Sequence, residues 1–590
     1  MVKNIAIGSQ NFEKIRRAGS FYIDKTDFIR EWWEENDEVT LITRPRRFGK
    51  TLNMSMLESF FSVKYAGCGS LFEGLSIWED EKYRALQGSY PVIFLSLAGV
   101  KANNFRGARN GIVKALANAY DAHRYLKESG VLNAEEEKNY DALRNFDSDP
   151  SPEKEIDEQF VAGALNTLSM YLARCYDKKV LIFLDEYDTP LQEAYAAGYW
   201  EELASLVRSL FNASFKTNPF LDRAVMTGIT RVGKESIFSD LNNLEVITTT
   251  TEKYSTMFGF TEKEVKTALE QFGLENTLDR VRRWYDGFRF GSRKDIYNPW
   301  SITKYLDSGQ FGTYWANTSS NSLVSRFIRE GEPDVKIATE DLLAGKSIDM
   351  AIDEEVVFNQ PEENSAAIWS LLLASGYLKV DGVVHAGDEE EMKYTLSLTN
   401  LEVRKEFGRM VRNWFQKSSA RYNDFVKALL ENDLEYMNLY MNKMTEAVFS
   451  SFDTGRHPSG QTEPERFYHG FVLGLIADAG LNYRITSNRE SGFGRYDVMM
   501  EPRDGEGDAY LFEFKVKNPS SEAALEDTVL SALKQIREKN YDAVLIDRGI
   551  AKEKIRHYGF AFEGKRVLIG TRGHFKEGRF CQDERRLEEM

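Results

Sequence analysis

Val39-Thr40-Leu41-Ile42-Thr43 is an uninterrupted strand-forming run, and it passes directly into Arg44-Pro45-Arg46-Arg47-Phe48-Gly49-Lys50-Thr51 and a helical pattern from Leu52 to Phe61. A strand, a loop closing on Gly-Lys-Thr and a helix gather backbone N–H groups and a helix N-terminus around one point, an arrangement that holds phosphates. Lys50 is then placed to reach the β- and γ-phosphates of a nucleotide and Thr51 to hold Mg²⁺. Arg46, Arg47 and Gly49 complete the nucleotide-contacting set. In the usual GxxxxGK[ST] spacing the first glycine falls at Arg44, so this loop departs from the pattern.

A Gly-Lys-Thr triplet alone carries little weight in 590 residues. What strengthens it is Val180 to Leu184, an apolar strand that ends in Asp185-Glu186. Asp185 would bind Mg²⁺ through water, and Glu186 would polarise the water that attacks the γ-phosphate. Two further apolar runs, Pro91 to Leu97 and Arg223 to Thr230, alternate with helical patterns, which predicts a parallel sheet covered by helices on both faces. The last of these strands ends near Thr227, Thr230 and Arg231, candidates for sensing the γ-phosphate; Arg231 serves equally well as a salt-bridge partner.

Composition fits a folded multidomain chain, with 42% hydrophobic and 28% charged residues. No uninterrupted apolar run reaches the roughly 18 residues of a membrane span, and no leader is visible, so a cytoplasmic location is expected. Cys68, Cys175 and Cys581 are too scattered for a disulfide framework, and the six histidines form no zinc-binding spacing. Any metal site is therefore expected to be built from carboxylates, with Mg²⁺ the default and Mn²⁺ an alternative. The net charge of −16 is unusual for a nucleic-acid-binding protein. Positive clusters nevertheless occur at Arg44, Arg46 and Arg47, at Arg282, Arg283, Arg289, Arg293 and Lys294, and from Lys552 to Arg572.

Near the C-terminus, Tyr496 to Glu501 and Ala509 to Val516 read as strands around a turn-rich segment centred on Gly505. A hairpin folded there sets Asp497 directly opposite Glu513, with Cβ atoms roughly 5 Å apart. Lys515 shares the face of Glu513, while Phe512, Phe514 and Val516 point into a core. Two opposed carboxylates repel unless neutralised, which a hard divalent cation does; Lys515 is then placed to orient or deprotonate a water beside it. A helix from Glu465 to Ala479 precedes the hairpin, with Glu465 and His469 on one face, and a helix from Ser531 to Lys539 carrying Gln535 follows it.

These segments resemble a family of bacterial proteins in which an AAA-ATPase-like domain is joined to a PD-(D/E)XK nuclease domain. The likeness rests on Phe21-Tyr22-Ile23-Asp24-Lys25-Thr26, Arg44 to Thr51, Leu184-Asp185-Glu186-Tyr187-Asp188, Lys234 to Ser239 with Asn242-Asn243, Trp284-Tyr285-Asp286-Gly287-Phe288 and Tyr297-Asn298-Pro299-Trp300-Ser301. It continues through Glu465 to His469, Ser491 to Asp497, Glu513-Phe514-Lys515 and Gln535-Ile536, and covers almost the whole chain. The family uses Arg-Pro-Arg-Arg-Phe-Gly-Lys-Thr as its ordinary phosphate loop. The resemblance implies that Glu465 is an additional metal ligand and Gln535 a substrate-orienting residue. Tyr496 stands where the proline that names the nuclease motif would precede Asp497.

The expected fold is α/β and multidomain: a P-loop NTPase-like parallel sheet over 1–250, a helical and winged-helix-like middle over 251–452, and a restriction-endonuclease-like α/β domain over 453–590. The middle is expected to contain a helix from Ala366 to Tyr377 and a hairpin of Leu378 to Val384 with Met392 to Leu398. The expected function is an ATP-binding, Mg²⁺-dependent nuclease, regulated by its ATPase module, that acts on nucleic acid, DNA ahead of RNA, and that could self-associate. Alternatives are a nucleotide-switched binding module that does not cut and a remodelling ATPase using Arg231 across a subunit boundary.

Overall fold

The structure is a computed structural model. It describes residues 4–146, 156–231, 237–238, 240–315, 333–343, 345–352, 365–384, 393–415, 423–449, 472–473, 475–476, 483–491, 494–503, 507–564, 566–571, 575–576 and 579–580. The chain forms two compact units, one of residues 1–324 with 349–403 and the other of 325–348 with 404–590.

The first unit is built on a five-stranded sheet of β1 (Val39–Thr43), β2 (Val92–Ser96), β3 (Val180–Asp185), β4 (Leu221–Gly228) and β5 (Leu244–Ile247). The order is β2-β3-β4-β1-β5 and every pairing is parallel. All residues of β1 and β3 are buried, because helices cover both faces of a parallel sheet and leave no polar side. The four expected strands are present within a residue or two, and β5 is an addition. Since β4 lies between β1 and β3, its C-terminal end stands between the phosphate loop and the Asp185-Glu186 pair.

The same unit carries a small antiparallel sheet of β6 (Phe260–Thr261), β7 (Phe288–Phe290) and β8 (Arg293–Tyr297). A third sheet contains β9 (Ile348–Ala351), β10 (Leu378–Val384) and β11 (Lys393–Leu398). The expected hairpin in the middle of the chain is the antiparallel β10–β11 pair, following the helix Ser365–Ala374.

In the second unit a mixed sheet runs in sequence order through β12 (Tyr483–Ser491), β13 (Gly494–Pro502), β14 (Ala509–Val516), β15 (Ile555–Glu563) and β16 (Arg566–Thr571). Only β14 and β15 pair in parallel, through the crossover helix Leu525–Glu538. Phe512, Phe514, Tyr558, Phe560 and Phe562 form the core on one face. The crossover helix packs on the other, where Leu511, Val529, Leu533 and Ile536 are buried together. Gly559 makes this approach possible, since a Cβ there would stand 2.9 Å from the carbonyl oxygen of Val529.

Candidate functional site

In the first unit, the helix Lys50–Phe61 starts from Gly49 in the left-handed region (φ 81°), and the residue two before it, Arg47, is also left-handed (φ 66°). Lys50 is buried, its Nζ donating to the carbonyls of Arg44 (3.0 Å) and Pro45 (3.2 Å) and lying 3.6 Å from Glu186. Asp185 accepts from Thr51 Oγ1 at 2.9 Å and from Thr227 Oγ1 at 2.7 Å, so its two oxygens are fixed by the loop helix and by β4. Burial, and then the neighbouring Glu186, push the Asp185 carboxyl above its ordinary range. A cation at this point would reverse that preference. Glu186 itself holds a left-handed backbone (φ 54°), a conformation that costs a non-glycine residue energy and is concentrated at functional sites.

These groups open onto a cavity of about 440 Å³ lined by Arg46, Arg47, Gly49, Lys50, Thr51, Asp185 and Glu186. Its lining also includes the apolar Ile5, Ile7, Phe21, Ile23 and Phe260. A cavity that combines cationic, polar and apolar lining residues suits the two halves of a nucleotide, phosphates and base. Asp188 is buried and accepts from the Ile229 and Thr230 amides and from Thr230 Oγ1, so it ties the end of β4 to the segment after β3.

In the second unit, β13 and β14 pair with Val498 opposite Phe512, Met499 opposite Leu511 and Met500 opposite Tyr510. One step further, this register sets Asp497 against Glu513, the pairing the turn at Gly505 predicts. Asp497 Oδ2 accepts from the Phe514 amide at 2.8 Å, and Glu513 is buried. Gln535, on the crossover helix, donates its amide to Glu513 Oε1 and lies 3.2 Å from the Tyr541 hydroxyl. The Asp497–Glu513 pair offers only carboxylate oxygens, a donor set suited to Mg²⁺ or Mn²⁺ and not to a soft metal. Among the described residues no group of three or more His, Cys, Asp or Glu side chains converges as a metal cluster; Glu465 and His469 lie outside them.

Residues 6–238 match the family model of a predicted AAA-ATPase, and residues 463–572 match that of the PD-(D/E)XK nuclease superfamily. The chain carries an AAA-ATPase-like domain and a C-terminal PD-(D/E)XK nuclease domain. A relative described as an uncharacterized protein in the vnfD 5' region of Azotobacter chroococcum mcd 1 is 25% identical over 581 residues, covering 96% of this chain and 98% of its own length.

Within the ATPase-like domain the cavity brings together all the expected nucleotide-contacting residues except three, Thr227, Thr230 and Arg231. Thr227 lies beneath Asp185, and neither it nor Arg231 is among the lining residues. Thr230 is turned away onto Asp188, and its carbonyl accepts from Tyr187 Oη. The segment from Ile5 to Gln10, Phe21 to Ile23, and Trp300 also line the cavity, and sequence reasoning gave them no role; Trp300 and Phe21 to Ile23 lie in segments that carry the family resemblance.

In the nuclease domain Asp497, Glu513 and Gln535 meet, and Lys515 lies two residues beyond Glu513 on β14. Tyr541 is an addition; its burial, among other causes, raises its hydroxyl pKa, and its only sequence signal is its position six residues after Gln535. Some members of the positive clusters are paired with carboxylates. Arg282 pairs with Glu262 and Asp279, Arg556 with Asp508 and Arg566 with Glu563. Arg44 is fully buried and belongs to no solvated face.

Proposed function

We propose that this protein is an ATP-binding, metal-dependent nuclease that cleaves phosphodiester bonds of DNA, with its ATPase-like domain governing the cut. The observation that carries the reading is the register of β13 on β14, which opposes Asp497 and Glu513 and lets the crossover helix deliver Gln535 to Glu513. Like charges directly opposed across two strands destabilise a hairpin, and here the sequence keeps both. A divalent cation held by Asp497 and Glu513, with Glu465 as a further ligand, would supply Lewis acidity to the scissile phosphoryl group and acidify a bound water. Lys515 orients that water and offsets charge developing on the phosphoryl oxygens. Gln535 holds the Glu513 carboxylate in one rotamer.

At the other site Thr51 and Asp185 would hold Mg²⁺ on a bound nucleotide, Lys50 would neutralise the β/γ-phosphates, and Glu186 would polarise water. The free thiols of Cys68 and Cys175 suit a cytoplasmic setting, and no described helix is long and apolar enough to cross a membrane.

The test is incubation of the purified protein with plasmid, linear and single-stranded DNA and with RNA, in Mg²⁺ or Mn²⁺, with and without ATP, beside Asp497→Ala. Metal-dependent cleavage of DNA by the parent and not by the variant is expected. A parent that cuts none of these substrates in any condition overturns the nuclease reading, and one that cuts RNA alone overturns the choice of DNA.

A further inference from the structure

The phosphate loop departs from the glycine-rich pattern at Arg44, and the structure supplies what glycine would otherwise provide. Each residue from Arg44 to Phe48 is gripped by a residue from the later part of the first unit. The buried Arg44 guanidinium donates to the Thr248 carbonyl at 2.6 Å and stacks 4.5 Å from the Phe290 ring. Pro45 packs against Gly376, where a Cβ would approach its ring to 3.0 Å. The Arg47 guanidinium lies over Trp300 at 4.5 Å, and Phe48 meets Phe288 at 4.7 Å.

The grip on Arg46 is different in kind, because it acts on the backbone. The Arg46 carbonyl accepts from Trp315 Nε1 at 2.9 Å and from Asn298 Nδ2 at 3.4 Å. Both donors are fixed. Asn298 caps the helix Pro299–Ser308 through its other side-chain atom, Oδ1, which accepts from the Trp300 and Ser301 amides. Trp315 is held by its own amide, which donates to Glu402 Oε1 at 2.6 Å, and Glu402 Oε2 accepts from Ser301 Oγ at 2.7 Å. Asn298, Ser301, Trp315 and Glu402 are all buried.

A trans peptide is planar, so its C=O and N–H point in opposite directions. Turning the Arg46 carbonyl onto Trp315 and Asn298 therefore turns the Arg47 N–H the other way, and both arginines line the nucleotide cavity. Arg47 is left-handed, as is Gly49. A left-handed residue in such a loop makes a concave nest of N–H donors that binds anions, but this conformation is disfavoured for a residue with a Cβ. We propose that Asn298, Trp315 and Glu402 are positioning residues for nucleotide binding, which fix the Arg46–Arg47 peptide so that its N–H faces the phosphates. The inference rests on the nucleotide-binding reading of the cavity.

Trp315→Phe keeps the ring and removes the indole donor. Asn298→Asp keeps the helix cap but sets an oxygen against the Arg46 carbonyl. Tyr140→Leu, by contrast, loosens the packing of the helix Ala134–Arg144 on Tyr120 and Tyr171, none of which is among the residues lining the cavity, and serves as the packing control. Each full-length variant is titrated with ATP by calorimetry and melted without nucleotide. Trp315→Phe and Asn298→Asp should each lose about tenfold in ATP affinity, while Tyr140→Leu loses thermal stability and binds within about twofold of the parent. If Trp315→Phe does not fold, Asn298→Asp decides alone. Parent-like affinity in the folded donor variants overturns the inference and leaves the nucleotide reading standing, as does an equal affinity loss in Tyr140→Leu at matched thermal stability. A parent that binds no ATP overturns both.

Discussion

Lys50 and Asp286 show two ways in which a single buried charge depends on its partners. Among the described residues, the Arg44 and Pro45 carbonyls and Glu186 surround the Lys50 ammonium, a set that a triphosphate would complete. Lys50→Ala is expected to lower ATP affinity at least tenfold, about 1.4 kcal/mol or more, and calorimetry that shows an unchanged affinity would remove the phosphate loop from the account. Asp286 has the opposite problem. Burial, and then the neighbouring charge of Asp295, push its carboxyl up to about 7. Between about pH 4 and 7 the folded protein thus keeps a proton that the unfolded chain has released. Stability contributed by the protonated form is present below that window and falls as pH rises through it. Asp286→Asn cannot ionise, so it should melt like the parent at pH 4 and above it at pH 8. The gain is about 1–2 kcal/mol once partial solvent access is allowed for. A difference in melting temperature that does not change with pH would refute this.

At the scale of elements, the hairpin β13–β14 was the most legible part of the chain. The expected turn centre at Gly505 lies outside the described residues, but the pairing of Val498 with Phe512 has the register it predicts, and alternation along β14 leaves a single face for Glu513 and Lys515. Asp497→Ala or Lys515→Ala should abolish metal-dependent cleavage and leave ATP affinity unchanged; a variant that cuts like the parent would show that the hairpin is not the cutting centre. Gln535 came from resemblance, whereas its contact with Glu513 depends on the close packing of the crossover helix at Gly559, which no local pattern encodes. The strands β1 to β4 were legible because burial on both faces leaves near-continuous apolar runs. By contrast β5 is four residues long, with only Ile247 fully buried, and gives no such run. Hardest to see was the grip on the phosphate loop. Trp315 and Arg46 are 269 residues apart, and a hydrogen bond from an indole to a carbonyl has no sequence pattern of its own. Arg44 was read with its neighbours as part of a positive cluster, yet it is a buried ring-stacked side chain whose charge burial disfavours, lowering its pKa to about 9.

For the whole molecule, the proposed regulation requires that ATP binding at one domain change the proposed DNA cleavage at the other. Glu186→Gln preserves the shape of the side chain and leaves Asp185 with its bonds from Thr51 and Thr227, but removes the carboxylate proposed to polarise water. The variant should bind ATP, fail to release phosphate and accumulate in the ATP-bound state. If ATP-bound and ATP-free forms differ in affinity for DNA, linkage requires that DNA alter ATP affinity by the same factor, whatever path joins the sites. Couplings of this kind are typically about 1–3 kcal/mol, roughly 5- to 150-fold in binding. The measurement is DNA affinity and cleavage rate of Glu186→Gln with and without saturating ATP, at fixed free Mg²⁺, because ATP otherwise withdraws the metal that the proposed cleavage uses. Reciprocity supplies an internal check, since ATP affinity measured with and without DNA in an Asp497→Ala, Glu186→Gln double variant must shift by the factor seen for DNA. A shift in both titrations by one factor establishes regulation of the nuclease domain by the ATPase-like domain. Identical DNA affinity and cleavage with and without ATP would leave two independent domains on a shared chain.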